Sequence, residues 1–234
     1  MDFKNDLTSE VRQIFKEQWT VQTISSVPEP DDLRLNNHAK DLEKATVLYA
    51  DLDGSTNMVD RFNWGFSAEV YKAYLRCAAR LIKLEGGVIT AYDGDRIMAI
   101  FTGDRKNTNA VRAAMKINYA VENIINSEMS DVYDKGDFKV KHVIGIDTSQ
   151  LRAARIGVRG YNDLVWIGRS ANYAAKLTTQ TGRSIWITKA VYTSMNKSVR
   201  TNSVTRQNFW ISRNWSGMDN MEIFGSSCTL DVNA

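Results

Sequence analysis

The spacing of apolar positions changes several times along this chain, and each change marks an element. Near the start, Leu7, Val11, Ile14, Phe15 and Trp19 recur at helical steps, which predicts a helix over about 7–19. The polar stretch after it holds both prolines, Pro28 and Pro30, and reads as a connector. Residues 44–52 are almost continuously apolar, the pattern of a strand covered on both faces. Helical spacing returns over 67–84, with Val70, Tyr74, Leu75, Ala78 and Ile82 on one face. It returns again over about 107–127, with Val111, Ala114, Ile117, Val121 and Ile124. Between these helices, Val88–Tyr92 and Ile97–Phe101 flank Asp93-Gly94-Asp95-Arg96, a hairpin turn pattern. Strands are expected at 138–147 and 151–158, then a helix at 168–180 and a short strand at Ser184–Ile187. A helix near 189–196 and strands at 207–212 and 220–225 complete the pattern. That order predicts an α+β or α/β sandwich, helices packed on a mixed sheet.

Composition narrows the class without naming a function. A chain of 234 residues, 43% hydrophobic, buries a substantial core as one domain. The net charge of +3 is small and the basic residues are dispersed, so no nucleic-acid partner is expected. Cys77 and Cys228 lie far apart, the usage of a reducing compartment. No apolar run reaches membrane-spanning length, and the start Met1-Asp2-Phe3-Lys4-Asn5-Asp6 lacks the form of a signal peptide. A soluble, cytoplasmic protein with no membrane partner is the expectation.

The chemistry concentrates where apolar runs end. Thr46 to Leu52 is followed by Asp53-Gly54-Ser55-Thr56, with Asp51 and Asp53 at the strand tip. Asp95 sits in the hairpin turn about forty residues later. If the hairpin pairs beside the first strand, Asp51 and Asp95 converge at one edge. Two carboxylates with phosphate and water fill the coordination that Mg²⁺ or Mn²⁺ prefers. Asp-Gly is also an ordinary turn dipeptide, and acids at strand ends are commonly just solvated.

These residues resemble the class III nucleotidyl cyclases. Val47-Leu48-Tyr49-Ala50-Asp51-Leu52-Asp53-Gly54-Ser55-Thr56 is similar to the strand and turn that carry that family's first metal carboxylate. Gly86-Gly87-Val88-Ile89 running into Gly94-Asp95-Arg96-Ile97-Met98-Ala99-Ile100-Phe101 is similar to its hairpin. Gly168-Arg169-Ser170-Ala171-Asn172-Tyr173-Ala174-Ala175-Lys176-Leu177 is similar to its third signature, a helix start with Asn and a basic residue four positions on. The resemblance implies a ferredoxin-like α+β fold and a head-to-tail homodimer. It implies two divalent ions, Mn²⁺ or Mg²⁺, on Asp51, Asp95 and the backbone carbonyl of Leu52. Asn172 then orients the ribose and Lys176 meets charge on the α-phosphate. The family usually places Arg there; Lys keeps the charge and loses the fork. Asp53 becomes a turn residue. The layout implied is an N-terminal helix and connector over 1–40, a catalytic domain over 41–225 and a loose tail over 226–234.

The base-reading positions depart from the purine cyclases. Alignment on the motifs puts Ala91 and Val165 where purine enzymes carry polar side chains, and neither hydrogen-bonds. Tyr49, Tyr92 and Trp166 are aromatic candidates to narrow the pocket, with core packing as the alternative for each. Arg96 and Asn63 are candidate donors. Arg152, Arg155 and Arg159 form a basic cluster that reads first as solvated surface. The combination most resembles the bacterial pyrimidine cyclases of Pycsar anti-phage defence, the uridylate branch above all. That implies UTP as substrate, cyclic UMP as product and a separate effector protein. A purine cyclase with an atypical pocket and an inactive nucleotide-binding dimerisation module remain open.

Overall fold

The computed structural model describes residues 2–134, 136–158 and 160–234. The apolar run becomes β2, His38–Asp53, the central strand of a mixed sheet. Helix α1 (Phe3–Lys16) and strand β1 (Thr20–Thr23) precede it, and β1 pairs parallel with His38–Asp41. Short α2 (Ser55–Arg61) and long α3 (Trp64–Leu84) follow the strand. The hairpin forms as β3 (Val88–Asp93) and β4 (Arg96–Phe101), and α4 spans Lys106–Ala120. Strand β5 (Lys141–Val158), β6 (Tyr161–Ile167), α6 (Arg169–Leu177) and β7 (Ile185–Thr188) come next, after α5 (Asn126–Val132). Helix α7 (Lys189–Ser194) and strands β8 (Ile211–Trp215) and β9 (Met221–Ser226) finish the fold. Among the described residues the sheet order is β3-β4-β2-β5-β7-β9-β8, with β1 added to β2 and β6 to β5.

Each face of the sheet is closed by helices. On one face Leu48, Ala50 and Leu52 of β2 join α3 and α4 through Tyr74, Ile82, Val111 and Ile117. On the other, Val47 and Met98 pack under Ala171 and Ala174 of α6. The alternation along β2 is therefore what gives one strand two covered faces. Gly145 of β5 admits α6: a Cβ there would lie 2.1 Å from the Ala174 carbonyl oxygen.

Four expectations are corrected. The predicted break between strands 138–147 and 151–158 is absent, because β5 runs through it. Its polar midpoint is not a turn: Asp147 is fully buried and bonded by Arg169 and Thr188. The helix expected over 107–127 widens into a π turn at Val121–Ile125 before α5 begins. Asn126 spans the widened turn, donating to the Val121 and Val140 carbonyls and accepting from the Val140 N–H. The apolar stripe of α1 joins no core cluster among the described residues; no residue of that helix is buried. The tail is not loose: Cys228, Leu230 and Val232 pack on the core, and Leu230 N–H donates to Met115 O. Strands β1 and β6 were not foreseen.

Candidate active site

The hairpin register brings the first two motifs together. Ala50 pairs with Ile97, so the end of β2 and the β3–β4 turn share one end of the sheet. Gly94 takes φ +60°, which lets the turn close and place Asp95 beside the strand tip. Asp51 keeps 19% of its side chain exposed, and Arg96 Nη2 donates to its Oδ2 at 2.8 Å. Asp95 Oδ2 is buried with no hydrogen-bond partner. Leu52 turns its side chain into the core, leaving only its backbone to the site.

Arg96 also lies over the Tyr49 ring, 5.9 Å from its centroid. Burial raises the Tyr49 phenol, and the Arg96 charge pulls it part of the way back. Tyr49 and Ala91 both pair with Met98, on β2 and β3 respectively, so the three form one row across the sheet. Ala91 is exposed, and Val165 is half-buried opposite Ala154 on β5. Residues beside those two, Ile89, Thr90, Leu164 and Trp166, line one cleft of about 110 Å³. The Thr90 hydroxyl is buried there without a partner. Tyr92 is 57% exposed and is no core residue. Trp166 packs on the α6 side of the sheet with Tyr49.

Asn172 and Lys176 stand one turn apart on the exposed side of α6, whose other side buries Ala171, Ala174 and Leu177. The Lys176 amine lies 3.6 Å from the Met218 sulfur, and among the described residues no carboxylate pairs with it. Among the described residues no hydrogen bond or ion pair joins this pair to Asp51, Asp95 or Arg96. Asn63 caps α3, its Oδ1 accepting from Phe66 N–H at 3.0 Å, which fixes the side chain at the start of that helix. Arg152 pairs with the buried Asp41 and Arg155 with the exposed Asp31, so both are anchored on acids; Arg159 lies outside the described residues.

No protein-family profile matches the chain. A uridylate cyclase of Burkholderia cepacia is 54% identical over 93% of this chain and 94% of that one. A uridylate cyclase of Xanthomonas perforans is 47% identical over 97% of each. This chain belongs to the uridylate cyclase family. The crystal structure of the adenylyl cyclase CyaB from P. aeruginosa superposes with a TM-score of 0.65 at 18% identity, covering 80% of this chain and 95% of that one. The fold is thus that of the class III cyclases, and the protein is a nucleotidyl cyclase.

Two residues of the cyclase were beyond the sequence reading. Arg169 opens α6 with its Nε 3.0 Å from Asp147 Oδ2, which pins the start of the helix that presents Asn172 and Lys176. Burial raises the Asp147 carboxyl, while the Thr188 hydroxyl and the Arg169 charge lower it. Its place inside β5 hid it, since a lone Asp in a polar run looks like a turn. Tyr74 is the second. It lies fully buried, its phenol raised by burial and further by the charges of Asp51 and Asp95, and its spacing on α3 was that of any core residue.

Proposed function

We propose that this chain cyclises a pyrimidine nucleoside triphosphate, UTP before the others, to 3′,5′-cyclic UMP and pyrophosphate. Asp51, Asp95 and the Leu52 backbone carbonyl would hold two divalent cations, Mn²⁺ or Mg²⁺. Among the described residues no three His, Cys, Asp or Glu side chains cluster, so a fully protein-built cage is not the arrangement. Two carboxylates, a carbonyl, phosphates and water are instead the hard-oxygen set such ions take. The unpartnered Asp95 Oδ2 fits that use. When bound, the cations supply Lewis acidity, easing loss of the ribose 3′-hydroxyl proton and offsetting charge on departing pyrophosphate.

The chain's own side chains orient and stabilise. Asn172 would donate to the ribose and fix its 3′-oxygen toward the α-phosphorus. Lys176 would set a positive charge against the α-phosphate oxygens as they gain charge. Both stand on α6, and among the described residues no hydrogen bond or ion pair joins them to the acidic pair. A complete site therefore needs a second copy, arranged head to tail, with α6 of one subunit facing the acids of the other. The base would lie along Tyr49, Ala91 and Val165, where no side chain matches a purine edge. Arg96, whose guanidinium lies over the Tyr49 ring, would be a donor to the base. The two relatives named uridylate cyclase support UTP as the base choice.

The observation that carries the chemistry is the meeting of Asp51 and Asp95 at one end of the sheet. The role in antiviral defence, acting on a separate effector protein in the cytoplasm, rests on the resemblance to that branch. Incubation with each of the four nucleoside triphosphates and Mn²⁺ should release pyrophosphate and cyclic UMP from UTP. Cyclic AMP as the main product would overturn the pyrimidine reading. A second reading is favoured by one observation, the Arg96 guanidinium already seated on Asp51. On it the chain binds nucleotide without turnover, and triphosphate binding with no pyrophosphate under either metal would support it.

A further inference from the structure

We propose that Thr90 reads the pyrimidine ring: its hydroxyl donates to a carbonyl oxygen of uracil in the cleft between β3, β6 and the N-terminal connector. This role rests on the reading above of the chain as a UTP cyclase. Strand β3 carries one residue more than its partner at this point. Ile89 pairs with Ala99 and Ala91 with Met98, so Thr90 is the extra residue of a bulge. Ile89 packs on the α3 and α4 side of the sheet, and Met98 on the α6 side. Alternation turns Thr90 away from Ile89, and pairing with Met98 turns Ala91 the same way. Two successive residues therefore face the α6 side, which an unbroken strand does not allow. Bulges re-aim side chains in this manner beside functional sites.

Thr90 lines a cleft of about 110 Å³ with Leu164 and Trp166 of β6 and with Val27 and Pro28 of the connector. At roughly 30 Å³ per water that is the share of about four waters, a space that suits one ring better than two fused ones. Pro28 is buried, and the two prolines stiffen this roof and offer no N–H. Arg155 of β5 holds the far end of the connector, donating to the Leu33 carbonyl at 3.2 Å and meeting Asp31 at 3.4 Å. Its Nε donates to Asn162 of β6, so one side chain ties roof and β6 together.

Of the other polar residues along the cleft, Glu29 and Asp163 are exposed, and Asp163 Oδ1 already accepts from Leu164 N–H. The Thr90 hydroxyl is buried and has no partner. A buried hydroxyl left unpaired is unfavourable, and a ligand oxygen in the cleft would satisfy it. The carbonyl oxygens of uracil accept, and the hydroxyl can donate. Rotated, it can also accept from the amine of cytosine. Thr90 therefore favours a pyrimidine edge and leaves the choice between UTP and CTP to other groups.

The test is steady-state pyrophosphate release from UTP by the full chain with Mn²⁺. Thr90→Val keeps the β-branched shape and removes the hydroxyl. It should raise the UTP KM by about tenfold while kcat falls far less, the mark of a contact made equally before and during reaction. Thr90→Ser keeps the hydroxyl and should hold KM near the native value. The melting temperature of Thr90→Val should stay level or rise, because the hydroxyl has no partner in the free chain. An unchanged UTP KM in Thr90→Val overturns the proposal, and so does a loss confined to kcat. A raised KM in both variants overturns it as well, since that marks packing and not a hydroxyl contact. If the native chain turns over ATP and not UTP, the pyrimidine reading fails and takes the Thr90 role with it. If the native chain turns over UTP and Thr90→Val matches it, only the Thr90 role fails.

Discussion

His142 shows how one buried side chain sets a pH window. It is 5% exposed, and burial holds its pKa down at about 4 against an ordinary 6.5. The unfolded chain takes up a proton near pH 6.5 that the folded chain refuses until about pH 4. This contribution is therefore complete above pH 6.5 and is lost as pH falls through that interval, by roughly 3 kcal/mol in all. Melting temperatures recorded from pH 7 to pH 4 should fall steeply for the native chain and more gently for His142→Gln. Parallel curves would remove His142 as the source. Legibility at this scale followed the type of neighbour. Asp51 and Asp95 were readable because each interrupts or ends an apolar run. Arg96 was named as a donor but not placed, since its position over Tyr49 depends on hairpin register. Tyr74 was read as core, because a buried phenol and a buried phenyl share one spacing.

Among the elements, α6 depends on a residue it does not contain. Gly145 lets the helix backbone settle on β5, and any Cβ there meets the Ala174 carbonyl at 2.1 Å. Gly145→Ala should lift α6 and lower stability by about 1–3 kcal/mol. It should also reduce turnover, because Asn172 and Lys176 ride on the same helix. A thermal melt with kinetics on the same sample checks both; native values for the pair would show that α6 does not sit as described. The long elements α3, α4, β2 and β5 were legible because sustained periodicity reports a face held against a core. Strands β1 and β6 escaped for the converse reason. All four residues of β1 are exposed, and β6 buries none fully, so neither shows a hydrophobic alternation. Helix α1 reverses the problem: its periodicity is clear, yet among the described residues it joins no core cluster.

For the whole molecule, the decisive matter is whether one chain holds a complete site. Asp51→Ala and Lys176→Ala should each be inactive alone under the head-to-tail arrangement. Mixed in equal amounts after unfolding and refolding together, they should recover roughly a quarter of native turnover, because half of the dimers then carry one intact site of two. No recovery would mean that both halves act within one chain. The three motifs made the fold class legible in advance, and 54% identity to a full-length relative agrees with it. Subunit contact was not legible in the same sense. It depends on exposed surface, where one sequence pattern serves water and partner equally.

The π turn at Val121–Ile125 has a consequence that is best stated as phase. A regular α-helix advances about 100° per residue, and the wider turn accommodates one residue more than that rhythm allows. Were this turn to tighten to regular α geometry with all its residues kept, everything from Asn126 onward would rotate by about 100° around the axis. Asn126 would then swing away from Val140, whose N–H and carbonyl it now holds at 2.8 and 3.0 Å. The strand that begins at Lys141, and carries His142 opposite Leu52, would lose the clamp at its entrance. The width of the turn at 121–125 is therefore as tightly constrained as identity at 126, because that width keeps the helices on either side in phase.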